Sequence, residues 1–149
     1  MVVLTLERPL QNMDLTPYVP KAIMASMTWS VLFHPEFQTE FSALPKEVQL
    51  ELLARLKLLE STGPQLGRPT VDTLNGSSFA NMKELRFQEN EGVWRFAFAF
   101  NPQRAAIVLC GGDKEGADQK AFYKELIDKA DRRFAAHIAS LKKQTGSKP

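Results

Sequence analysis

GVWRFAFAF, Gly92–Phe100, is the stretch on which the fold turns. Read with the two-residue repeat of a strand, it places Trp94, Phe96, Phe98 and Phe100 on one face. Val93, Arg95, Ala97 and Ala99 fall on the other. One face is a packing surface; the other is small except for a guanidinium, which is costly to bury without a partner. Arg95 therefore either pairs with a carboxylate or lines a groove that takes an anion.

The flanks of this strand build the rest of a sheet. NMKELRF precedes it through QENEG, and AAIVLC follows it through NPQR. Connections this short predict an antiparallel meander of three strands. GGDKEGADQ then leads into a helix over about Gln119 to Leu141, with Phe122, Leu126, Ala130, Phe134 and Leu141 at helical spacing. Upstream, TWSVLF alternates as a first strand, and Pro35 of HPEF suits the first turn of a short helix to Ala43 that buries Phe37 and Phe41. Pro45 opens a second helix with an apolar stripe of Val48, Leu52, Leu53, Leu56 and Leu59, ended by Gly63-Pro64. STGPQLGRPTVDTLNGSS is left as a loop, long for a compact domain, and loops of that length are often functional. The order β-α-α-β-β-β-α makes an α+β domain, an antiparallel meander sheet with helices packed on it.

The 149 residues suffice for one domain with a real core, and ten Phe and two Trp supply its bulk. Net charge is only +2, but Lys114 to Pro149 holds nine Lys or Arg against five Asp or Glu. That basic end fits an RNA or phosphate partner, and equally a solvated helix with a short lysine-bearing tail. The single cysteine, Cys110, rules out an internal disulfide and a Cys-based zinc site, and reads as a small buried hydrophobe. No apolar stretch approaches the roughly 18 residues of a membrane span. The N-terminus lacks the basic start of a signal peptide, so the expected location is the cytoplasm. Residues 1–26, with Pro9, Pro17 and Pro20, read as an extension outside a domain of residues 27–149; an edge strand from VVLTL is the alternative.

In this order and spacing, FHPEF, the Leu-Pro before the second helix, GPQLGRPTVDTLNGS, NMKELRF, VWRFAFAF, GGDK and FYKELIDKADRRF resemble the RelE/HigB superfamily of toxins from bacterial toxin–antitoxin pairs. The likeness is to its phage-related HigB-like branch, over about Thr28 to Leu141. It implies a RelE-like fold, a cognate antitoxin (usually a helix-turn-helix protein) and ribosome-dependent cleavage of mRNA without metal or cofactor. Such cleavage needs a group to take the 2′-hydroxyl proton, a donor for the leaving 5′-oxygen and cations over the phosphorane. The resemblance puts Arg95, Lys83, Arg86, Lys114 and Tyr123 in those roles. Where RelE-type relatives carry a second lysine before Leu-Arg, this chain has Glu84.

Each candidate also has a plainer reading. Lys83 and Arg86 could be solvated strand residues, Lys114 an exposed turn lysine, and Tyr123 a packing residue with its hydroxyl at the edge. His34 reads as a helix cap and His137 as a partly exposed helical residue, though some HigB toxins use histidine. For Arg95, matching Leu85 and Phe87 to the aromatic face leaves two registers. One sets Arg86 opposite Arg95, a repulsion that an anion would relieve. The other sets Glu84 opposite Arg95, an ion pair needing no function. Two further functions share the fold: a ParE-like toxin acting on DNA gyrase, and a non-catalytic binding module, which Glu84 would suit.

Overall fold

The computed structural model describes residues 2–3 and 28–146, with side chains from 28 to 144. In chain order the elements are β1 (Val2–Val3), β2 (Ser30–Phe33), α1 (Pro35–Ser42), α2 (Lys46–Thr62), β3 (Val71–Thr73), β4 (Met82–Glu89), β5 (Gly92–Phe100), β6 (Ala105–Asp113) and α3 (Gln119–Gly146). The sheet runs β1-β2-β6-β5-β4-β3. From β3 to β6 it is the expected antiparallel meander. It is not a meander throughout, because β2 pairs with β6 in parallel. A parallel neighbour needs a long crossover, and the helices after β2 begin one.

Three further expectations change. The stretch 61–78 is not all loop: a 3-10 turn at Gly63–Gln65 and strand β3 interrupt it. Val71 is buried there and pairs with Leu85, which is what extends this short segment. β6 and α3 both run past the apolar residues that signalled them, to Asp113 and Gly146. Of the proposed N-terminal extension, Val2–Val3 forms the edge strand on β2; the rest of residues 1–26 lies outside the described residues, as does Lys148 of the basic tail.

Local chemistry sets the helix ends. His34 caps α1, its Nδ1 accepting from Glu36 N at 3.1 Å, with Pro35 in the first turn. Gly63 ends α2 at φ 68°, and a Cβ there would come within 2.5 Å of the Trp29 ring.

Both faces of the sheet are covered. On one, α1 and α2 bury Phe37, Leu52, Leu56 and Leu59 against Phe33, Leu85, Phe96 and Phe98. On the other, α3 buries Leu126, Ala130 and Phe134 against Met82, Ala97, Ala99, Ile107 and Leu109. Ala97 and Ala99 are small because a helix lies on them. Each large side chain so buried contributes about 1.5–3 kcal/mol. The two layers are tied at the end of β2. The β5–β6 register slips after Ala97, leaving Leu109 as a bulged residue. Its carbonyl accepts from Arg133 Nη1 at 2.7 Å, and the same guanidinium reaches Glu40 at 2.6 and 2.9 Å and Glu36 at 3.2 Å on α1.

Candidate functional site

The β4–β5 hairpin positions the site. Its two-residue turn, Asn90–Glu91, has φ of 54° and 64°, the doubly left-handed turn that matches strand twist. Glu89 then pairs with Gly92, and counting back sets Arg86 opposite Arg95. The register is the like-charge one. Alternation turns both arginines, with Glu84, toward the α3 side of the sheet.

Arg95 is nonetheless not an open cation: it is 7% exposed. Its Nη1 donates to Trp94 O at 2.9 Å and its Nε to the Tyr123 hydroxyl at 3.2 Å. Tyr123 in turn donates to Glu84 Oε1 at 2.9 Å. Arg95 Nε lies 3.9 Å from the same oxygen, so the hydroxyl bridges a loose buried ion pair. Burial, then the bond to Glu84, raises the Tyr123 pKa above the usual phenol value, with Arg95 opposing, so this hydroxyl stays protonated. The carboxylate pair weighed from sequence thus forms diagonally, inside the other register.

Lys114 follows β6, its backbone N donating to Val93 O at 2.8 Å. Its ammonium donates to Gln119 Oε1 at 3.1 Å and lies 5.6 Å from the Tyr123 ring centre. Partial burial, then repulsion from Arg95 and Arg86 against attraction from Glu84, lowers its pKa from the ordinary lysine value. Arg86 donates to Asp72 Oδ2 at 3.3 Å.

Four of the five predicted residues, Arg86, Arg95, Lys114 and Tyr123, therefore gather. Lys83 does not: it alternates with Glu84 and faces the α1–α2 layer with Leu85. The alternation that buries Leu85 and Phe87 already carried that information. Beside the cluster lies a hollow of about 320 Å³, lined by Arg55, Arg68, Arg86 and Arg95 with Pro69, Thr70, Phe87 and Gln88. Nothing in the residue pattern marks Arg55, on a helix, as a neighbour of this hollow, and for Arg68 the length of its loop is the available signal.

The remaining titratable groups lie elsewhere. His137 is buried rather than partly exposed, and Asn101 Nδ2 donates to its Nε2 at 2.9 Å. Asn101 Oδ1 accepts from Gln103 N and Ala105 N, which fixes the amide and leaves His137 Nε2 as the acceptor. Cys110 is buried, and burial pushes its thiol up to about 12. Among the described residues no cluster of His, Cys, Asp and Glu could hold a metal ion. None of their helices is long and apolar enough to cross a membrane.

Comparison with known proteins adds four findings. The family model described as phage derived protein Gp49-like matches residues 39–135. A Mycobacterium tuberculosis protein named as toxin candidate HigB3 is 42% identical over 111 residues, 74% of this chain and 95% of the relative. A second from that organism, toxin candidate HigB2, is 42% identical over 99 residues, 66% of this chain and 49% of its own length. Among solved structures, an Escherichia coli toxin RelE double-arginine mutant in the free state superposes with a TM-score of 0.53. It is 16% identical, and the match covers 72% of this chain and 98% of that one. This last likeness is one of fold.

Proposed function

We propose an activity for a chain that belongs to the phage-derived Gp49-like family of RelE/HigB-type toxins: ribosome-dependent endonucleolytic cleavage of mRNA, held in check by a cognate antitoxin. The supporting observation is that Arg86 and Arg95 stand opposite each other, line one hollow and have Lys114 in their field. Two guanidinium groups set side by side repel unless an anion sits between them, and a phosphodiester is such an anion.

In this reading the 2′-hydroxyl of the message attacks the adjacent phosphorus and gives its proton to water, and the bond to the 5′-oxygen breaks to leave a 2′,3′-cyclic phosphate and a 5′-hydroxyl. Arg86 and Arg95 stabilise the charge of the phosphorane. Lys114, acidified by partial burial and then by Arg95, is the group suited to give a proton to the departing 5′-oxygen. Tyr123, protonated and bonded to both Glu84 and Arg95, fixes where the Arg95 guanidinium points. Glu84 stands within this network as the orienting carboxylate. Lys83, on the far face, has no part in it.

The test is cleavage of a message on translating ribosomes, followed by primer extension. Arg86→Gln is the cleaner variant, because Arg95 is buried and its removal would strand Glu84. The expected loss is at least about 100-fold. Cleavage by Arg86→Gln at the parental rate would overturn the assignment.

A second reading rests on the same burial. Two of the Arg95 donors already meet Trp94 O and Tyr123, with Glu84 nearby, as in a structural ion pair. A non-catalytic module of this fold would then bind its partner without cutting RNA. Induction of the protein alone separates the two: growth arrest with cleaved messages supports the enzyme, and normal growth the module.

A further inference from the structure

We propose that Arg55 and Arg68 form a second phosphate subsite, through which the hollow at the end of β3 grips a single-stranded RNA backbone beside the bond handled by Arg86, Arg95 and Lys114; this rests on the endonuclease reading above.

The place in the fold is specific. β3 stops pairing at Val71–Leu85, and Arg86 N to Thr70 O at 2.8 Å is the next backbone link. Beyond it the hollow opens along β4, at Phe87 and Gln88. Arg86 and Arg95 approach from the α3 side of the sheet. Arg55 comes from α2 on the opposite side, its guanidinium 5.0 Å from the Phe87 ring centre. Arg68 arrives from the loop before β3. The hollow therefore wraps an edge of the sheet, and its volume of about 320 Å³ is at the small end of ligand sites, a nucleotide's scale.

Charge supports an anion there. Among the described residues, four guanidinium groups line the hollow and no carboxylate does. Asp72 is divided between Arg86 at 3.3 Å and Arg68 at 3.7 Å, both longer than the 2.7–2.9 Å typical of a charged pair. Arg55 pairs with Glu51 within its own helix. Each guanidinium carries five N–H donors, so these pairings leave donors for a phosphate. The Arg68 side chain is 73% exposed and can turn toward a ligand without breaking the fold.

The experiment follows the arginine Nε–Hε resonances by NMR as the full chain is titrated with a 2′-O-methylated trinucleotide, which it cannot cleave. Arg55, Arg68 and Arg86 are expected to shift together and saturably. The double variant R55Q/R68Q, checked for parental thermal unfolding, should bind about tenfold more weakly. Its dependence of log K on log salt should be shallower by about 0.7 for each phosphate it no longer neutralises. Unmoved Arg55 and Arg68 resonances, or parental affinity in the variant, would overturn the subsite. Shifts at the subsite from a protein that cleaves no message on ribosomes would keep the subsite and sink the endonuclease instead.

Discussion

Arg86 lies directly across the β4–β5 ladder from Arg95. Asp72 meets one at 3.3 Å and Glu84 approaches the other at 3.9 Å, a different carboxylate for each arginine. A cross-strand pair of like charges is a stability cost that a binding site can use. Arg86→Gln should therefore change the free energy of unfolding by less than about 1 kcal/mol, since it also loses a partly exposed ion pair. Urea denaturation beside the ribosome assay would show activity lost without stability. A variant as active as the parent, or one that unfolds outright, would contradict this division.

Tyr123→Phe removes the hydroxyl bridging Arg95 and Glu84. It leaves a buried carboxylate oxygen without its donor, which costs about 1–3 kcal/mol. The network is shared, so the Tyr123→Phe, Glu84→Gln double variant should lose less stability than the two singles together. Denaturant titrations of all three variants measure the coupling, and strict additivity would mean that the bridge is not a unit.

Arg133 holds α3 to α1 through Glu36 and Glu40, and to β6 through the bulged Leu109 carbonyl. Arg133→Met should destabilise the fold by about 2–3 kcal/mol, because the carbonyl loses its partner while both carboxylates keep access to water. Glu40→Gln should cost less. Equal unfolding midpoints for Arg133→Met and the parent would rule the clamp out.

Stability should fall toward acid, in two stages. Burial, and then Arg133, lowers the His34 pKa from 6.5, and burial lowers that of His137. Below about 6.5 the unfolded chain thus binds protons that the folded chain refuses, so stability is whole above that pH and declines beneath it. The hydrogen bond from Arg133 lowers Glu40 from 4.5, so its contribution is present above 4.5 and fades as pH drops through the folded value. Thermal unfolding across pH 3–8 should show both limbs (a range spanning the reference carboxylate and imidazole values). His137→Gln should flatten the upper limb; an unchanged upper limb would count against this account.

Cys110, buried and with its thiol pushed up to about 12, should resist thiol reagents in the folded protein at pH 8. Labelling should track global unfolding in urea. Prompt labelling in native buffer would show that the α3 layer opens over it.

Some of this was legible in residues alone. The apolar alternation of Gly92–Phe100, the Leu stripe of α2 and the helix starts at Pro35 and Pro45 each appear where their chemistry indicates. Within the site, Arg95 and Tyr123 could be named, but not the fact that one holds the other. Lys83 shares the parity of Leu85 and so lies on the other face of β4 from Arg86, which its residue type does not reveal. β3 escaped notice because three residues carry too little alternation to stand out from a Gly- and Pro-rich loop.

Residue order alone dictates which side chains share a face, since that follows from a two-residue repeat needing no partner. Whether Arg95 would face Glu84 or Arg86 was decided only in three dimensions. A tight turn at Asn90–Glu91, without the glycine that usually marks such turns, locks Glu89 to Gly92, and every pair behind it follows. The parallel docking of β2 on β6, the bulge at Leu109 and the meeting of Arg55 with Arg68 at the end of β3 depend likewise on contacts between distant segments. No local pattern of residues records them.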